Sequence, residues 1–148
     1  MTVGLKIRSI VVEVGPSRIL TAFFSSIHCN LEGDKWGGEF PVLLNEFYSG
    51  TLPAESAAAA LQELSAVDSK FKNLSPQKVV WDFEDLEMSR PDGVPYNDGA
   101  NNLSEFFVTK TGHSLISVIE SRIHYMIKKN RDMTIDTSHF KFLSPRKK

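Results

Sequence analysis

The sequence predicts a single domain of the α+β class, with α/β layering, in which a small β-sheet is packed by about four helices. The 148 residues suit one domain. A run rich in β-branched residues near the N-terminus is typical of a strand, and later segments carry apolar residues at helical spacing. We expect residues 1–148 to form this one domain, with residues 144–148 as a frayed basic tail.

The first half of the chain is predicted to contain one strand and three helices. Residues 5–14 are rich in β-branched side chains and are predicted to form the strand. Apolar residues recur at helical spacing over 18–31, which predicts an amphipathic helix that Gly33 ends. A short helix over 42–48 follows a glycine-rich loop, and an apolar stripe over 53–72 predicts the longest helix.

The second half is predicted to alternate strands with one long loop and one helix. Residues 78–83 alternate in polarity and indicate a strand, and residues 106–108 indicate another. Between them, residues 84–102 carry two prolines, two glycines and few aliphatic side chains, which predicts a long loop of a kind that is often functional. Apolar spacing predicts a helix from about residue 116 to about 129, and a last strand over 134–143 follows it.

Charge is unevenly distributed along the chain. The net charge of −1 excludes a protein that binds polyanions over its whole surface. In the acidic segment, which we define as residues 82–98, six acidic residues are opposed only by Arg90, for a net charge of −5. From residue 122 to the end, eight basic residues outnumber two acidic ones, for a net charge of +6. Such polarity can steer a charged partner, although two solvated surfaces would carry the same charges.

Cysteine content and hydropathy predict a cytoplasmic protein. Cys29 is the one cysteine, so no intramolecular disulfide can form, as is usual in a reducing compartment. Its place beside apolar positions of a predicted helix predicts a buried thiol. The N-terminus lacks the pattern of a secretory signal peptide, and no stretch of about 18 apolar residues occurs, so we expect no membrane contact.

Sequence motifs for catalysis and cofactor binding are absent. The chain contains no phosphate-binding P-loop, no dinucleotide-binding glycine pattern and no serine-hydrolase elbow. Its four histidines do not follow the spacing of zinc ligands. We therefore predict no catalytic residue, no metal and no cofactor, and a protein that acts by binding another protein.

Two alternative functions stay open. A small metal-dependent hydrolase would use Asp82 and Glu84 with a histidine, because carboxylates that follow a strand often bind metal in nucleases. A nucleic-acid-binding domain would use the basic residues from Arg122 onward, but this region lacks interleaved aromatic residues, so we expect no nucleic-acid partner. Trp36 and Tyr96 lie in predicted loops, where such side chains commonly anchor protein interfaces.

Four sets of residues form a family pattern. They are Ala22-Phe23-Phe24-Ser25-Ser26-Ile27 with Asn30-Leu31-Glu32; Trp36-Gly37 with Phe40-Pro41-Val42-Leu43 and Asn45-Glu46; Ser75-Pro76-Gln77-Lys78-Val79-Val80-Trp81-Asp82 with Glu84-Asp85-Leu86; and Leu103-Ser104 with Phe107-Val108-Thr109 and Gly112. Over roughly residues 5–127 this pattern resembles the immunity protein 70 family of bacterial polymorphic toxin systems. The stretch from Arg131 onward has no counterpart in the pattern.

The resemblance implies a small cytosolic inhibitor, made by a toxin-producing bacterium to protect itself and its siblings. In a system of the contact-dependent inhibition type, it would bind the C-terminal domain of its cognate toxin, without catalysis or cofactor. A nuclease is one candidate toxin, because its cleft must be basic and the acidic segment would then mimic phosphate. We expect the toxin to contact Trp36, Glu39, Glu46, Tyr48, Asp82, Glu84, Asp85, Glu87, Asp92, Tyr96 and Asp98.

Overall fold

The N-terminal residues form a β-hairpin in the computed structural model, which describes residues 1–137. Strand β1 spans Thr2–Ile7 and strand β2 spans Ile10–Pro16, and the two pair antiparallel. The prediction of one strand over 5–14 is therefore wrong. The β-branched residues of this run belong to both strands, and the turn between them holds Arg8 at a φ of 57° without the Gly or Asn that usually marks such a turn.

Within residues 1–137, two further strands join the hairpin in an antiparallel sheet of four strands in the order β2-β1-β4-β3. Strand β3 spans Thr51–Leu52 and strand β4 spans Met133–Asp136. The predicted last strand over 134–143 is confirmed for its first residues. Its remainder and the predicted tail at 144–148 lie outside the described residues. The sheet buries one face against the helices through Val3, Leu5, Ile7 and Met133.

Helical structure follows the hairpin as the apolar spacing predicts. Helix α1 spans Arg18–Ile27 and continues through a π-helical turn at His28–Glu32, after which Gly33 ends it with a left-handed φ of 76°. A second π-helical segment spans Val42–Phe47. The first two predicted helices are therefore confirmed, with π-helical geometry in part of their length.

Three more helices lie within the part of the chain that the structure describes. Helix α2 spans Ala57–Phe71 after a 3₁₀ turn at Ala54–Ser56, helix α3 spans Leu103–Phe106, and helix α4 spans Leu115–Lys129. The predicted helices that correspond to α2 and α4 are thus confirmed, whereas α3 was not predicted. Helices α2 and α4 pack against each other, and all the layers share one hydrophobic core. The architecture is a single α+β domain, as the sequence predicts.

Phe23 of helix α1 lies at the centre of this core. Its ring centroid is 5.3 Å from those of Phe24 and Phe107 and 6.0 Å from that of Phe71, in edge-to-face arrangements that aromatic pairs prefer. The core therefore joins α1 and α2 to the segment that precedes α4.

Two strands predicted in the second half of the chain, over 78–83 and 106–108, are not formed. Pro76–Lys78 makes a 3₁₀ turn, and the chain then runs to residue 83 outside any strand. Helix α3 takes the first residue of the second run, and only Val108 forms an isolated bridge, with Ser114. Both runs are rich in apolar residues because they pack against the body of the protein, and not because they pair in a sheet.

Candidate binding surface

The long loop, which we define as residues 75–102, is closed at its base. The backbone N–H of Leu103 donates to the carbonyl of Leu74 at 2.8 Å, so the two ends of the loop meet. The predicted loop over 84–102 is confirmed, because this part contains turns and irregular backbone but no strand. A surface loop with adjoining ends can pack as a compact unit, and the following contacts fix this one.

Three polar side chains of helix α1 and of the π-helical turn that follows it hold the first part of the long loop. Ser25 and Ser26 are completely buried, although serine inside a helix usually turns to solvent or to its own backbone. Together with Asn30 they bind the backbone of residues 78–83. The hydrogen bonds are Val80 N to Ser26 Oγ (2.9 Å), Ser26 Oγ to Val80 O (3.3 Å), Phe83 N to Ser25 Oγ (2.9 Å) and Asn30 Nδ2 to Lys78 O (2.9 Å). These bonds replace the sheet ladder that the sequence predicts.

Phe83, near the start of the acidic segment, packs on the indole ring of Trp36. Their ring centroids lie 4.4 Å apart. The indole also lies 5.0 Å from the ring of His28 and 5.9 Å from that of Tyr48, and its N–H donates to the carbonyl of Leu44 at 3.3 Å. Trp36 and Tyr48 are both half-buried. Trp36 contacts Phe83 and Tyr48 contacts Trp36, so the two rings support the acidic segment. Their direct contact with a partner stays a prediction.

The loop that carries Trp36 is held by the carboxylate of Glu32, which the sequence did not mark as a site residue. This carboxylate is 0% exposed and accepts four hydrogen bonds. The donors are His28 Nδ1 (2.9 Å), Gly37 N (2.9 Å), Phe40 N (2.9 Å) and Glu39 N (3.1 Å). Burial raises the pKa of the Glu32 carboxyl, but the hydrogen bonds outweigh burial and set the pKa below its ordinary value.

Asp82 fixes the tip of the acidic segment. Its carboxylate pairs with Arg18 of helix α1 at 3.1 Å and accepts a hydrogen bond from Glu84 N at 2.9 Å. Two successive turns follow, in which Asp85 N donates to the carbonyl of Asp82 and Met88 N to that of Asp85, both at 3.0 Å. Arg18 also contacts the sulfur of Met88 at 3.6 Å. The tip is therefore a folded structure tied to the first turn of α1.

The carboxylates beyond Asp82 face solvent. None of them forms an ion pair with another residue of the described chain. These exposed predicted site residues are Glu84, Asp85, Glu87, Asp92 and Asp98. The acidic segment thus presents uncompensated negative charge on an ordered loop.

The end of the acidic segment is anchored on Phe106 of helix α3. The ring of Tyr96 lies 5.5 Å from that of Phe106, and Asn97 N donates to the Phe106 carbonyl at 3.0 Å. Val94 is buried in the core. The guanidinium of Arg90 lies 4.9 Å from the centre of the Tyr96 ring, yet Tyr96 remains 41% exposed. It is the most accessible of the three predicted aromatic site residues.

The two predicted acidic residues outside the acidic segment differ in their surroundings. Glu39 is exposed on the loop that Glu32 holds. Glu46 is half-buried and accepts a hydrogen bond from Ser56 Oγ at 2.7 Å, so its carboxylate is bound within the protein. The structure therefore brings Trp36 and Tyr48 to the acidic segment, while Glu46 is engaged beside helix α2.

Glu63 of helix α2 caps the second π-helical segment. Its carboxylate accepts hydrogen bonds from Val42 N at 3.2 Å and Leu43 N at 2.9 Å. Burial raises the pKa of the Glu63 carboxyl, these two hydrogen bonds lower it, and the charges of Glu46 and Glu32 raise it, so that the pKa lies above its ordinary value. Glu63 and Glu32 therefore shift in opposite directions although both bind backbone N–H groups.

Asp82, which the hydrolase alternative needs as a metal ligand, is already bound to Arg18. Within residues 1–137, no group of three or more His, Cys, Asp and Glu is placed to hold a metal ion.

Cys29 is exposed, so the prediction of a buried thiol is wrong. This residue lies in the π-helical turn, which changes the direction of its side chain relative to α1. Partial burial nevertheless raises the pKa of the Cys29 thiol, which disfavours the nucleophilic thiolate.

Basic residues at the C-terminal end of helix α4 surround Tyr125. The guanidinium of Arg122 lies 4.9 Å from the centre of this ring and the ammonium of Lys129 lies 5.9 Å from it. The expectation of a basic region without interleaved aromatic residues is therefore incomplete. Tyr125 is half-buried and two cations of its own chain lie over its ring, so a base that stacked on this ring would compete with them.

None of the helices within the described chain is long and apolar enough to cross a bilayer.

Comparison with known proteins identifies the family. No curated protein and no solved structure matches the sequence. The family model described as Immunity protein 70 matches residues 5–135, and the match extends beyond residue 127 into strand β4. The chain therefore belongs to the immunity protein 70 family.

Proposed function

We propose that this protein binds the toxic C-terminal domain of a cognate bacterial toxin in the cytoplasm and neutralises it, which protects the producing cell and its siblings. Membership of an immunity protein family supports a toxin as the partner. The observation that carries the mode of binding is the acidic segment, whose exposed carboxylates lack ion-pair partners within residues 1–137 and stand on a loop fixed at both ends.

The partner that suits this surface is a basic protein cleft. Opposite charges raise the rate at which two proteins meet in a productive orientation. A cleft that binds the phosphate groups of nucleic acid carries this charge, so a nuclease domain is the toxin class that we propose. The acidic segment would then occupy the position of the phosphates and exclude the substrate.

The order of the long loop favours tight binding. Ser25, Ser26 and Asn30 hold its first part, and Phe106 holds the end of the acidic segment. A surface that is ordered before binding loses less conformational entropy when the complex forms. We propose that the protein acts stoichiometrically, without catalysis and without a cofactor. The Asp82 carboxylate, which the hydrolase alternative needs as a metal ligand, is instead bound to Arg18 and to a backbone N–H.

Co-expression tests the proposed function directly. We expect the gene immediately upstream of this chain's gene to encode the toxin. Its C-terminal domain should stop growth when expressed alone and should permit growth when this protein is present. The purified pair should elute as one complex in size-exclusion chromatography. Cells that stop growing with and without this protein, or proteins that elute separately, would exclude neutralisation by binding.

Titration of the toxin's activity separates inhibition from catalysis. If the protein acts by binding, activity should fall linearly and end at equimolar inhibitor. Complete loss of toxin activity at a small fraction of equimolar inhibitor would mean that this protein turns over the toxin or its product, and the non-enzymatic part of the proposal would be wrong.

A further inference from the structure

Leu86 projects into solvent from the tip of the acidic segment. It is 70% exposed, and among the large apolar residues of the described chain only Met1 is more exposed. Its neighbours in sequence are the exposed carboxylates of Asp85 and Glu87. Burial of a leucine side chain is favourable, and this one contributes almost none of that free energy to the fold of its own chain.

The residues around Leu86 fix it in this outward position. Phe83 packs on Trp36, and the sulfur of Met88 contacts Arg18. The backbone between them forms the two hydrogen-bonded turns that start at Asp82. Leu86 therefore stands on a folded tip whose two flanks are attached to the body of the protein.

We propose that Leu86 is the apolar anchor of the toxin-binding surface, and that the toxin receives it in an apolar pocket rimmed by basic side chains. This inference rests on the proposed function and adds a specific residue to it. Binding energy in protein interfaces concentrates on a few buried residues at the centre, while a surrounding ring excludes water. Here Leu86 forms the centre, and the ring contains Glu84, Asp85 and Glu87.

The charges around Leu86 define the class of partner. Three carboxylates close to the anchor would repel a nucleic acid or an anionic membrane, since both carry negative charge. They attract lysine and arginine side chains, which are the groups that a phosphate-binding protein cleft displays. The occupant of this surface is therefore a basic protein with an apolar depression.

The two parts of this surface have separable kinetic effects. Exposed charges act mainly on the rate of association, whereas a buried apolar contact acts mainly on the rate of dissociation. A change at Leu86 should thus leave the encounter of the two proteins intact and shorten the lifetime of the complex.

The test compares Leu86→Ser and Leu86→Met with the wild type by surface plasmon resonance. The probe is the catalytically inactivated form of the toxin domain that the co-expression experiment identifies as the cognate partner. Leu86→Ser should dissociate about tenfold faster, with an association rate within about twofold of the wild type. Leu86→Met should dissociate slowly, because methionine keeps the apolar character and much of the volume. Ile127→Ser, which changes a 48% exposed residue of helix α4, is the matched control and should behave as wild type.

The outcomes separate this inference from the proposed function. If the wild type binds and Leu86→Ser dissociates no faster than Ile127→Ser, the anchor is wrong and the proposed function stands. If the wild type does not bind the toxin domain, the proposed function fails and the anchor fails with it. Equal thermal midpoints for the variants and the wild type would show that any kinetic change arises at the interface.

Discussion

The indole ring of Trp36 packs against the phenyl ring of Phe83, with their centroids 4.4 Å apart. Trp36 belongs to the glycine-rich loop before the second π-helical segment, and Phe83 lies near the start of the acidic segment. Two loops that are distant in sequence therefore form one packed unit. The position of the acidic carboxylates depends on this contact between uncharged side chains.

Replacing Trp36 by Ala should loosen the acidic segment. The substitution removes the ring on which Phe83 rests and the hydrogen bond to the Leu44 carbonyl. We expect the free energy of unfolding to fall by about 2 kcal/mol, less than for a fully buried Trp. Backbone amides of residues 82–88 should exchange with deuterium faster. Tyr125→Ala, at a half-buried aromatic residue of helix α4, should leave exchange in residues 82–88 unchanged, and equal exchange in both variants would contradict the supporting role of Trp36.

Replacing Ser26 by Ala should destabilise the fold through the long loop. The Val80 N–H would lose its acceptor and the Val80 carbonyl its donor, both close to the core. Leaving such groups unsatisfied costs about 1–3 kcal/mol, which urea unfolding can measure. Ser121→Ala, at an exposed serine of helix α4, is the control and should be neutral. A Ser26 variant as stable as this control would show that water replaces the lost hydrogen bonds.

Helices α1, α2 and α4 could be predicted from the sequence because their signal is local. Apolar residues three and four positions apart, such as Phe23 and Ile27 in helix α1, are sufficient to mark a buried face. The run 78–83 has the composition of a strand, but its partners are Ser25 and Ser26, more than fifty residues earlier in the chain. Local composition cannot tell a strand partner from a helix that presents hydroxyl groups.

The candidate site was predictable only in its charge. The acidic segment is visible from composition, but the support under it is not, because Glu32 binds backbone N–H groups that every residue except proline carries. The one signal for Glu32 is the glycine-rich run that follows it, whose N–H groups need an acceptor. Trp36 is predicted as a partner contact because indoles often anchor interfaces. The structure adds a supporting position against Phe83, and the contact with a partner stays a prediction.

Replacing Gly37 by Ala should destabilise the loop that carries Trp36. Gly37 has a φ of 76°, and an added Cβ would overlap the side-chain amide of Asn45, which is exposed and would have to turn away. Gly33 has the same φ, with a ψ of −119° and nothing within 4 Å of the added Cβ, so Gly33→Ala carries a conformational cost alone, about 1–3 kcal/mol. We expect the Gly37 variant to unfold at lower urea than the Gly33 variant. Adding Asn45→Ala should narrow the difference, and equal midpoints for the two single variants would exclude the steric effect.

Replacing Glu32 by Gln should change how stability depends on pH. Because the pKa of Glu32 is lower in the folded state, its carboxylate stabilises the fold above the unfolded pKa, and this stabilisation is lost as pH falls through the folded pKa. The Gln variant should be less stable at pH near 7 and should lose less stability on acidification, which urea unfolding between about pH 3 and 7 can measure.

Glu63→Gln is the matched contrast for this experiment. Its raised pKa means that the protonated carboxyl favours the fold, so the stabilisation is present at low pH and is lost as pH rises through the folded pKa. Compared with the wild type, Glu63→Gln should therefore lose less stability as pH rises, whereas Glu32→Gln should lose less stability as pH falls. Two variants whose stability depends on pH in the same way would contradict the opposite shifts.

Neutralising Glu84 and Glu87 together, each by Gln, should slow association with the cognate toxin domain. Both residues are exposed, so the fold should keep its stability while the acidic segment loses two charges. At low salt we expect association to be about three- to tenfold slower and its dependence on salt to be weaker, whereas dissociation should change less. Stopped-flow measurement at several salt concentrations gives both quantities.

The control for this pair is Glu55→Gln with Glu120→Gln, which alters the net charge equally at exposed residues of other surfaces. If steering depends on the acidic segment, this control should associate nearly as fast as the wild type at about 0.1 M salt, because the field of a charge then decays over roughly 10 Å. If the two double variants are slowed equally, net charge and not the acidic segment governs the encounter, and the partner must approach another face of the protein.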